Sequence, residues 1–391
     1  MNLNSPFSGS TQFSSISIDD DAEVIFVSDM FVEQYVGGAE LTTEALIEKC
    51  PVKCQKLLAS NITMELLEQG YQKHWVFGNF ASLNQQLIPT IVANLSYSVL
   101  EYDYKFCRYR SVEKHRFAEN QDCDCDNTQH GKLISAFLYG AKSLYWMSEG
   151  QQKIYLTKFP FLAEKHNTVL SSVFDDKFFL LVKKLREQYK DADRKGWVVL
   201  GSNSWIKGAS QAEEWCKENN HEYEVVWQLP HEQLLEKLAQ AEGFVYLPEG
   251  NDTCPRMVIE AKLLGCKLQL NEYVQHKDEE WFATDNTLEI EEYLYGSRQL
   301  FWQKEMENIA YEAAVSGYTT TLNCLDQKYP YKDCIASMLA FCKEVVVVDG
   351  GSTDGTWEEL EKWAQTESKL KIHKVERDWS HTRHAVFDGA Q

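Results

Sequence analysis

The stretch Gly243-Phe-Val-Tyr-Leu247-Pro-Glu-Gly-Asn-Asp252-Thr-Cys-Pro255-Arg-Met-Val-Ile-Glu260-Ala-Lys-Leu-Leu-Gly265 passes from a short apolar run, through a loop, into a helix with a glycine at its end. The run 243–247 is apolar enough for a strand buried on both faces. Pro255 suits the first position of a helix, where its missing N–H has no intrahelical partner to lose, and Gly265 suits the left-handed position after the last turn. A strand that feeds a helix in this way belongs to a parallel α/β sheet. The loop then lies at the carboxyl edge of that sheet, beside a helix N-terminus whose free N–H groups attract anions.

The same alternation extends in both directions. Strands are predicted at 23–29, 74–77, 96–101 and 143–148, with helices at 39–49, 63–69, 83–93, 133–138 and 149–156. It restarts near His166, with 168–174 leading into a helix from Asp176, and continues with strands at 197–201, 224–227, 243–247 and 267–270 separated by helices. The expected fold class is therefore α/β, two Rossmann-like domains facing a cleft, over 22–165 and 166–315. A polar, Ser-rich opening reads as a disordered tail over 1–21. A third, incomplete α/β segment covers 316–391, where the chain stops too soon to close a sheet-based domain. The region 291–313, with Trp302, reads as a helix that returns across the cleft.

A formal net charge of -20 argues against a basic footprint for nucleic acid or anionic lipid, so any phosphate site must be local. No apolar run reaches the roughly 18 residues that cross a bilayer. The 11 cysteines have no framework spacing, which fits reduced thiols in the cytoplasm. Cys107, Cys123, Cys125 and His130 are the one group with metal-ligand chemistry, but a single spacer between Cys123 and Cys125 is not the usual zinc spacing, so a polar loop is the preferred reading and no metal is assigned.

Asp252 on the loop and Glu260 in the second helical turn place two carboxylates at one cleft, where each can accept hydroxyl hydrogen bonds from a ribose or hexose. Arg256 is placed to meet a phosphate or to pair with Asp252. The segment is similar to the E-x7-E segment of retaining family 4 glycosyltransferases, with Asp in the first acidic position, followed by Glu260-Ala261 and the helix-ending Gly265. The resemblance implies that the first acid contacts the donor sugar, with Glu249 as a rival to Asp252, and that Glu260 holds the nucleotide ribose. Trp197-Val-Val-Leu-Gly201 and Lys207-Gly208 resemble the strand and turn whose lysine binds the donor diphosphate. Ser202 stands where the family usually carries arginine. Gly37-Gly38 resembles the glycine-rich loop after the first strand, and 144–149 with 169–175 resemble the last acceptor-domain strand and the entry to the donor domain.

The resemblance implies the GT-B fold, with Lys207, Asp252 and Glu260 as the catalytic set, and Gly37, Gly38, Ser202, Gly208, Glu249, Thr253 and Arg256 completing the donor site. It further implies a hexosyltransferase of polysaccharide biosynthesis that uses a UDP- or GDP-sugar, a glycan or lipid-linked acceptor, and no metal cofactor. No acceptor-side base is chosen among His74, His115, His130 and His166. Two rival readings stand: a catalytically weak binding or scaffold module, and a sugar-nucleotide epimerase.

Val345-Val-Val-Val-Asp349-Gly-Gly-Ser352-Thr-Asp354-Gly-Thr356 resembles the nucleotide-binding strand and turn of family 2 glycosyltransferases, which have the GT-A fold. Asp349, Ser352 and Asp354 are the implied nucleotide contacts. Thr319 to Asn323 and Arg383 lie where that family has its first strand and a helical arginine. Its metal-binding D-x-D motif lies beyond the matched stretch, so Mg or Mn would be needed only by a complete module.

Overall fold

The computed structural model describes residues 16–313, 315–340 and 342–375. It divides into two compact units, Met1–Trp302 and Gln303–Gln391. The strands of the first sheet are β1 (Val24–Ser28), β2 (Cys54–Leu58), β3 (His74–Phe77), β4 (Ser96–Glu101), β5 (Ser143–Trp146) and β6 (His166–Val169). They pair in parallel in the order β2-β1-β3-β4-β5-β6. β1, β3, β4 and β5 are buried along their whole length, as their apolar runs require. The core beneath them is aromatic: Trp75 stacks on Phe77, which meets Tyr97 and Phe137 edge-on.

The second sheet is β7 (Trp197–Leu200), β8 (Tyr223–Val226), β9 (Gly243–Tyr246) and β10 (Lys267–Leu270), parallel and ordered β10-β9-β7-β8. Trp197, Val199, Ala212, Cys216 and Val245 form its small core. This is the expected pair of Rossmann-like layers, and the carboxyl ends of both sheets border one cleft.

Several expectations are corrected in detail. The boundary at 165/166 falls one strand early, because β6 pairs with β5 and ends the first sheet. β6 is polar, and a sheet edge needs no apolar run. β2, the other edge of that sheet, was likewise not predicted. The expected helix at 83–93 is a 3-10 turn at Gln85–Leu87 followed by a helix at Ile88–Asn94, and the helix Val112–Glu119 was not predicted. Of the expected tail, 1–15 lies outside the described residues, whereas Ile18 is buried and its N–H donates to Gln69 Oε1 at 3.1 Å.

The helix Thr287–Ala313 begins in the first unit. Up to Trp302 it runs back onto the first sheet, where Phe301 lies 4.7 Å from the Tyr145 ring and Trp302 Nε1 donates to Leu46 O at 2.8 Å. Among the described residues no helix is long and apolar enough to cross a membrane.

The second unit contains β11 (Ser316–Thr321), β12 (Glu344–Asp349) and β13 (Leu370–Lys374), parallel in that order. Helices Tyr331–Leu339 and Thr356–Ala364 connect them, burying Ile335 and Leu360 against the sheet.

Candidate functional site

Two adjoining cavities occupy the cleft of the first unit, of about 480 Å³ and about 830 Å³. Gly38, Ser204, Lys207, Pro255 and Arg256 line both. Asp252 and Thr253 line the smaller one; Gly37, Ser202, His231 and Glu260 line the larger. The structure therefore gathers most of the predicted residues. Glu249 lines neither, which favours Asp252 as the first acid of the pair.

The Asp252 loop is strapped from both sides. Asp252 N–H donates to Tyr273 O at 2.9 Å, and Gln275 N–H donates to Asp252 O at 3.2 Å. Thr253 Oγ1 donates to Tyr102 O at 2.8 Å, and Asn251 Nδ2 to Glu113 Oε1 at 2.7 Å, so the first domain holds the loop as well. Behind it His276 is fully buried, and burial pushes its imidazole down to about 3, leaving it neutral at physiological pH.

The two acids share one arrangement. Asp252 Oδ2 accepts from Lys207 Nζ at 2.7 Å and from the Tyr246 hydroxyl. Glu260 Oε1 accepts from His231 Nε2 at 2.8 Å and from Arg256 Nε at 3.2 Å. In each carboxylate one oxygen takes both protein donors, and the other has no hydrogen-bond partner among the described residues. Burial alone would raise both pKa values. For Asp252 the Lys207 charge and the two hydrogen bonds prevail, and for Glu260 His231 and Arg256 do, so both carboxyls stay below their ordinary range.

That depression fixes the sign of a pH effect. Each acid contributes stability that is fully present above its unfolded value, 4.5 for Glu260 and 3.8 for Asp252, and is lost as the pH falls through the lower folded value. The stability gap between the wild type and Glu260→Gln is accordingly expected to be constant from neutrality to about pH 5 and to shrink below pH 4.5. Urea midpoints across that range measure it; a gap that widens on acidification contradicts the pairing.

Arg256 lines both cavities but pairs with Glu260 and not with Asp252. Its guanidinium lies 3.8 Å from the Phe174 ring centre, and Nη1 donates to Val173 O at 2.5 Å, so it is a buried cation that orients Glu260. His231 was missed by sequence reasoning; only the fold brings the start of helix His231–Gln240 to Glu260. Ser202 Oγ accepts from Ser204 N at 3.0 Å.

Three helices of eight residues or more begin at the larger cavity, and each lacks a side-chain cap: Gly38–Ile47, His231–Gln240 and Arg256–Leu263, entered through Gly37, Pro230 and Pro255. A further uncapped helix, Ala209–Glu218, follows the cavity-lining Lys207 through Gly208. The helices starting at Val112, Gln129, Glu149 and Asp176 are capped by Ser111, Thr128, Ser148 and Asp175. The uncapped ends leave first-turn N–H groups without a capping side chain at the position before the helix, the arrangement that suits a phosphate.

Gly208 allows the start of the helix Ala209–Glu218. Its φ is +60°, and a Cβ there would stand 1.8 Å from Leu247 O. Gly208→Ala is expected to cost about 3 kcal/mol or more from strain and backbone overlap, read as a lower urea midpoint; an unchanged midpoint contradicts the close approach.

Among the described residues none of the four candidate histidines lines either cavity. His74 Nδ1 lies 2.9 Å from Ser96 Oγ, and His130 Nε2 lies 2.8 Å from Lys105 O. The first domain's charged groups at the smaller cavity are Asp103, Arg110 and Lys114. Asp103 pairs with Lys105 at 3.2 Å and with Arg110, and although burial opposes it, these cations hold its carboxyl below the ordinary value.

In the second unit Asp349 is buried and accepts four hydrogen bonds: Oδ1 from Gly351 N and Ser352 N, Oδ2 from Thr321 Oγ1 and Ser352 Oγ. That uses the capacity of a carboxylate, so Asp349 organises its own turn. Ser352 Oγ also accepts from Asn323 N, and Asp354 accepts from Asp326 N and Thr356 N. Arg383 lies outside the described residues.

Residues 328–388 match the family model described as glycosyl transferase family 2. β11, read as that family's first strand, precedes the matched stretch. No curated protein matches the chain. Among solved structures, the chain is similar to a sucrose-phosphate synthase from Thermosynechococcus elongatus, at 12% identity and a TM-score of 0.47, covering 81% of this chain and 100% of that one. It is similar to a UDP-forming α,α-trehalose-phosphate synthase from Burkholderia xenovorans in complex with glucose-6-phosphate, at 10% identity and TM-score 0.45, covering 74% and 96%. It is also similar to HepE from Anabaena in complex with UDP and glucose, at 11% identity and TM-score 0.41, covering 74% and 99%.

Proposed function

We propose that the first unit is a glycosyltransferase that takes a hexose from a UDP- or GDP-sugar and passes it, with retention at the anomeric carbon, to a glycan or lipid-linked acceptor. The observation that carries this reading is the convergence of three uncapped helix starts and Lys207 on a cavity lined also by Glu260, one of whose oxygens has no hydrogen-bond partner among the described residues. A diphosphate supplies the anion those groups suit, and a ribose supplies hydroxyl donors for Glu260. Asp252 then receives sugar hydroxyls on Oδ1. Trp227 and Pro230, which line the same cavity, offer flat apolar surface to a nucleobase. The departing diphosphate is stabilised by Lys207 and the helix starts, which assigns to the protein's own groups the role a metal has in other transferases.

The proposal places the enzyme in a reducing cytoplasmic compartment, in keeping with 11 unbridged cysteines. It leaves the second unit, with Asp349 closed on its own turn, outside the transfer step. The weak-turnover reading has one observation in its favour, Ser202 in the position where the related enzymes carry a cation. The test is a thermal-shift panel of UDP- and GDP-sugars followed by product analysis. Saturating donor at 100 times its Kd is expected to add about 2.7 kcal/mol of stability. No shift with any nucleotide sugar sinks the reading; binding without transfer to an acceptor panel favours the binding module, and an isomerised sugar from donor alone favours an epimerase.

A further inference from the structure

The segment between β4 and β5 contains a group of side chains unrelated to the cleft chemistry. Cys107, His115, Cys123 and Cys125, spaced C-x7-H-x7-C-x-C, bring three sulfurs and one ring nitrogen within 4.8 Å of one another. All four are buried, between 1% and 8% exposed. His115 Nδ1 lies 3.3 Å from Cys125 Sγ and 3.7 Å from Cys107 Sγ. A tetrahedral zinc with ordinary Zn–S and Zn–N bonds requires S···N separations of about 3.6 Å, between the two observed values.

His115 Nε2 is buried with no partner, so the ring owes its orientation to the Nδ1 side, where the sulfurs are. His130, grouped with these cysteines in the sequence where no metal is assigned, is elsewhere, bonded to Gln85 and to Lys105 O. The single spacer between Cys123 and Cys125, which counted against a metal in the sequence, is offset by the helix Val112–Glu119, which carries His115 to the same point.

Apolar burial within the helix Val112–Glu119 is slight, although Tyr109 and Val112 pack against the core of the first domain. His115 is the one fully buried residue of the helix Val112–Glu119, and Phe117 on the same helix is 74% exposed. The segment also holds Arg110 at φ 56°, a left-handed position that a non-glycine, non-asparagine residue keeps where its surroundings enforce it, whereas Asn120 at φ 52° is an ordinary left-handed helix end.

We propose that Cys107, His115, Cys123 and Cys125 bind one zinc ion as a closed structural site. Four protein ligands leave no open coordination position, so the ion fastens the segment and takes no part in bond-making. Three thiolates and a divalent ion carry a net single negative charge, and Lys158 Nζ lies beside them, donating to Cys123 O at 3.3 Å. The fastened segment supplies Tyr109, Arg110, Ser111 and Lys114 to the smaller cavity, so the site braces one wall of the cleft. The inference stands whether or not the cleft transfers sugars.

The full-length chain, purified without chelator, is expected to contain about one zinc per molecule by mass spectrometry of the metal. Cobalt(II) loaded in its place is expected to show thiolate-to-metal charge transfer and the intense d–d bands of tetrahedral coordination. His115→Ala and Cys125→Ser are expected to lose at least about 10-fold in zinc occupancy, while His130→Ala and Cys216→Ser keep it. If the two ligand variants do not fold, the cobalt spectrum of the wild type decides alone. A chain that neither contains zinc nor takes up cobalt, a weak octahedral cobalt spectrum, a disulfide among Cys107, Cys123 and Cys125 in the freshly isolated protein, or equal zinc loss in Cys216→Ser overturns the proposal.

Discussion

Glu260→Ala is expected to lower folding stability by about 3–5 kcal/mol, because it leaves the buried Arg256 guanidinium without its counter-charge between Phe174 and Val173. The alanine variant therefore confounds binding with folding, and Glu260→Gln separates them. The amide oxygen still accepts from Arg256 Nε, while the acceptor for a ribose hydroxyl becomes an amide group with no charge. A charge-assisted hydrogen bond contributes about 1.5–3 kcal/mol, so donor affinity is expected to fall about 10- to 100-fold in a folded protein. Calorimetry with the nucleotide sugar that gives the largest thermal shift measures it. Equal affinity in Glu260→Gln and wild type would remove Glu260 from the donor site.

The second large effect is at Lys207. Lys207→Met keeps the length of the side chain and deletes the charge, leaving Asp252 with Tyr246 as its remaining side-chain partner. The carboxyl of Asp252 is then expected to titrate higher, since the Lys207 charge is the leading influence that offsets burial. Loss of a preorganised cation at a developing diphosphate typically lowers turnover by about 10²- to 10³-fold, as for other electrostatic transition-state contacts. Release of free nucleoside diphosphate from the donor, followed with and without acceptors, provides the readout. Unchanged release by a stable Lys207→Met protein would assign Lys207 to holding the Asp252 loop and nothing more.

Much of the fold is legible because its inner strands are continuous apolar runs with punctuating glycines. Gly243 to Tyr246 and Trp197 to Leu200 need no tertiary information to be recognised. The two edge strands of the first sheet were not legible for the complementary reason. β2 (Cys-Gln-Lys-Leu-Leu) and β6 (His-Asn-Thr-Val) are buried on one side at most, and their composition is that of a loop. Arg256 and Glu260 are four residues apart on one helix, so their pairing was readable from helical spacing, and weighing Asp252 as the partner instead overlooked it.

Sequence alone determined that a loop with an acid at 252 precedes a helix with an acid at 260, at the carboxyl edge of a parallel sheet, because local propensity and hydrophobic period are properties of adjacent residues. Tertiary structure alone decided what each acid touches. His231 reaches Glu260 across 29 positions and Lys207 reaches Asp252 across 45, through the stacking of separate β-α units. The same holds for His115 among the three cysteines, where a helix of two turns carries the ring to sulfurs eight or more residues away. Charge pairing and metal ligation depend on distances of a few ångströms between side chains. Those distances are set by how packed layers meet, which spacing along the chain does not encode.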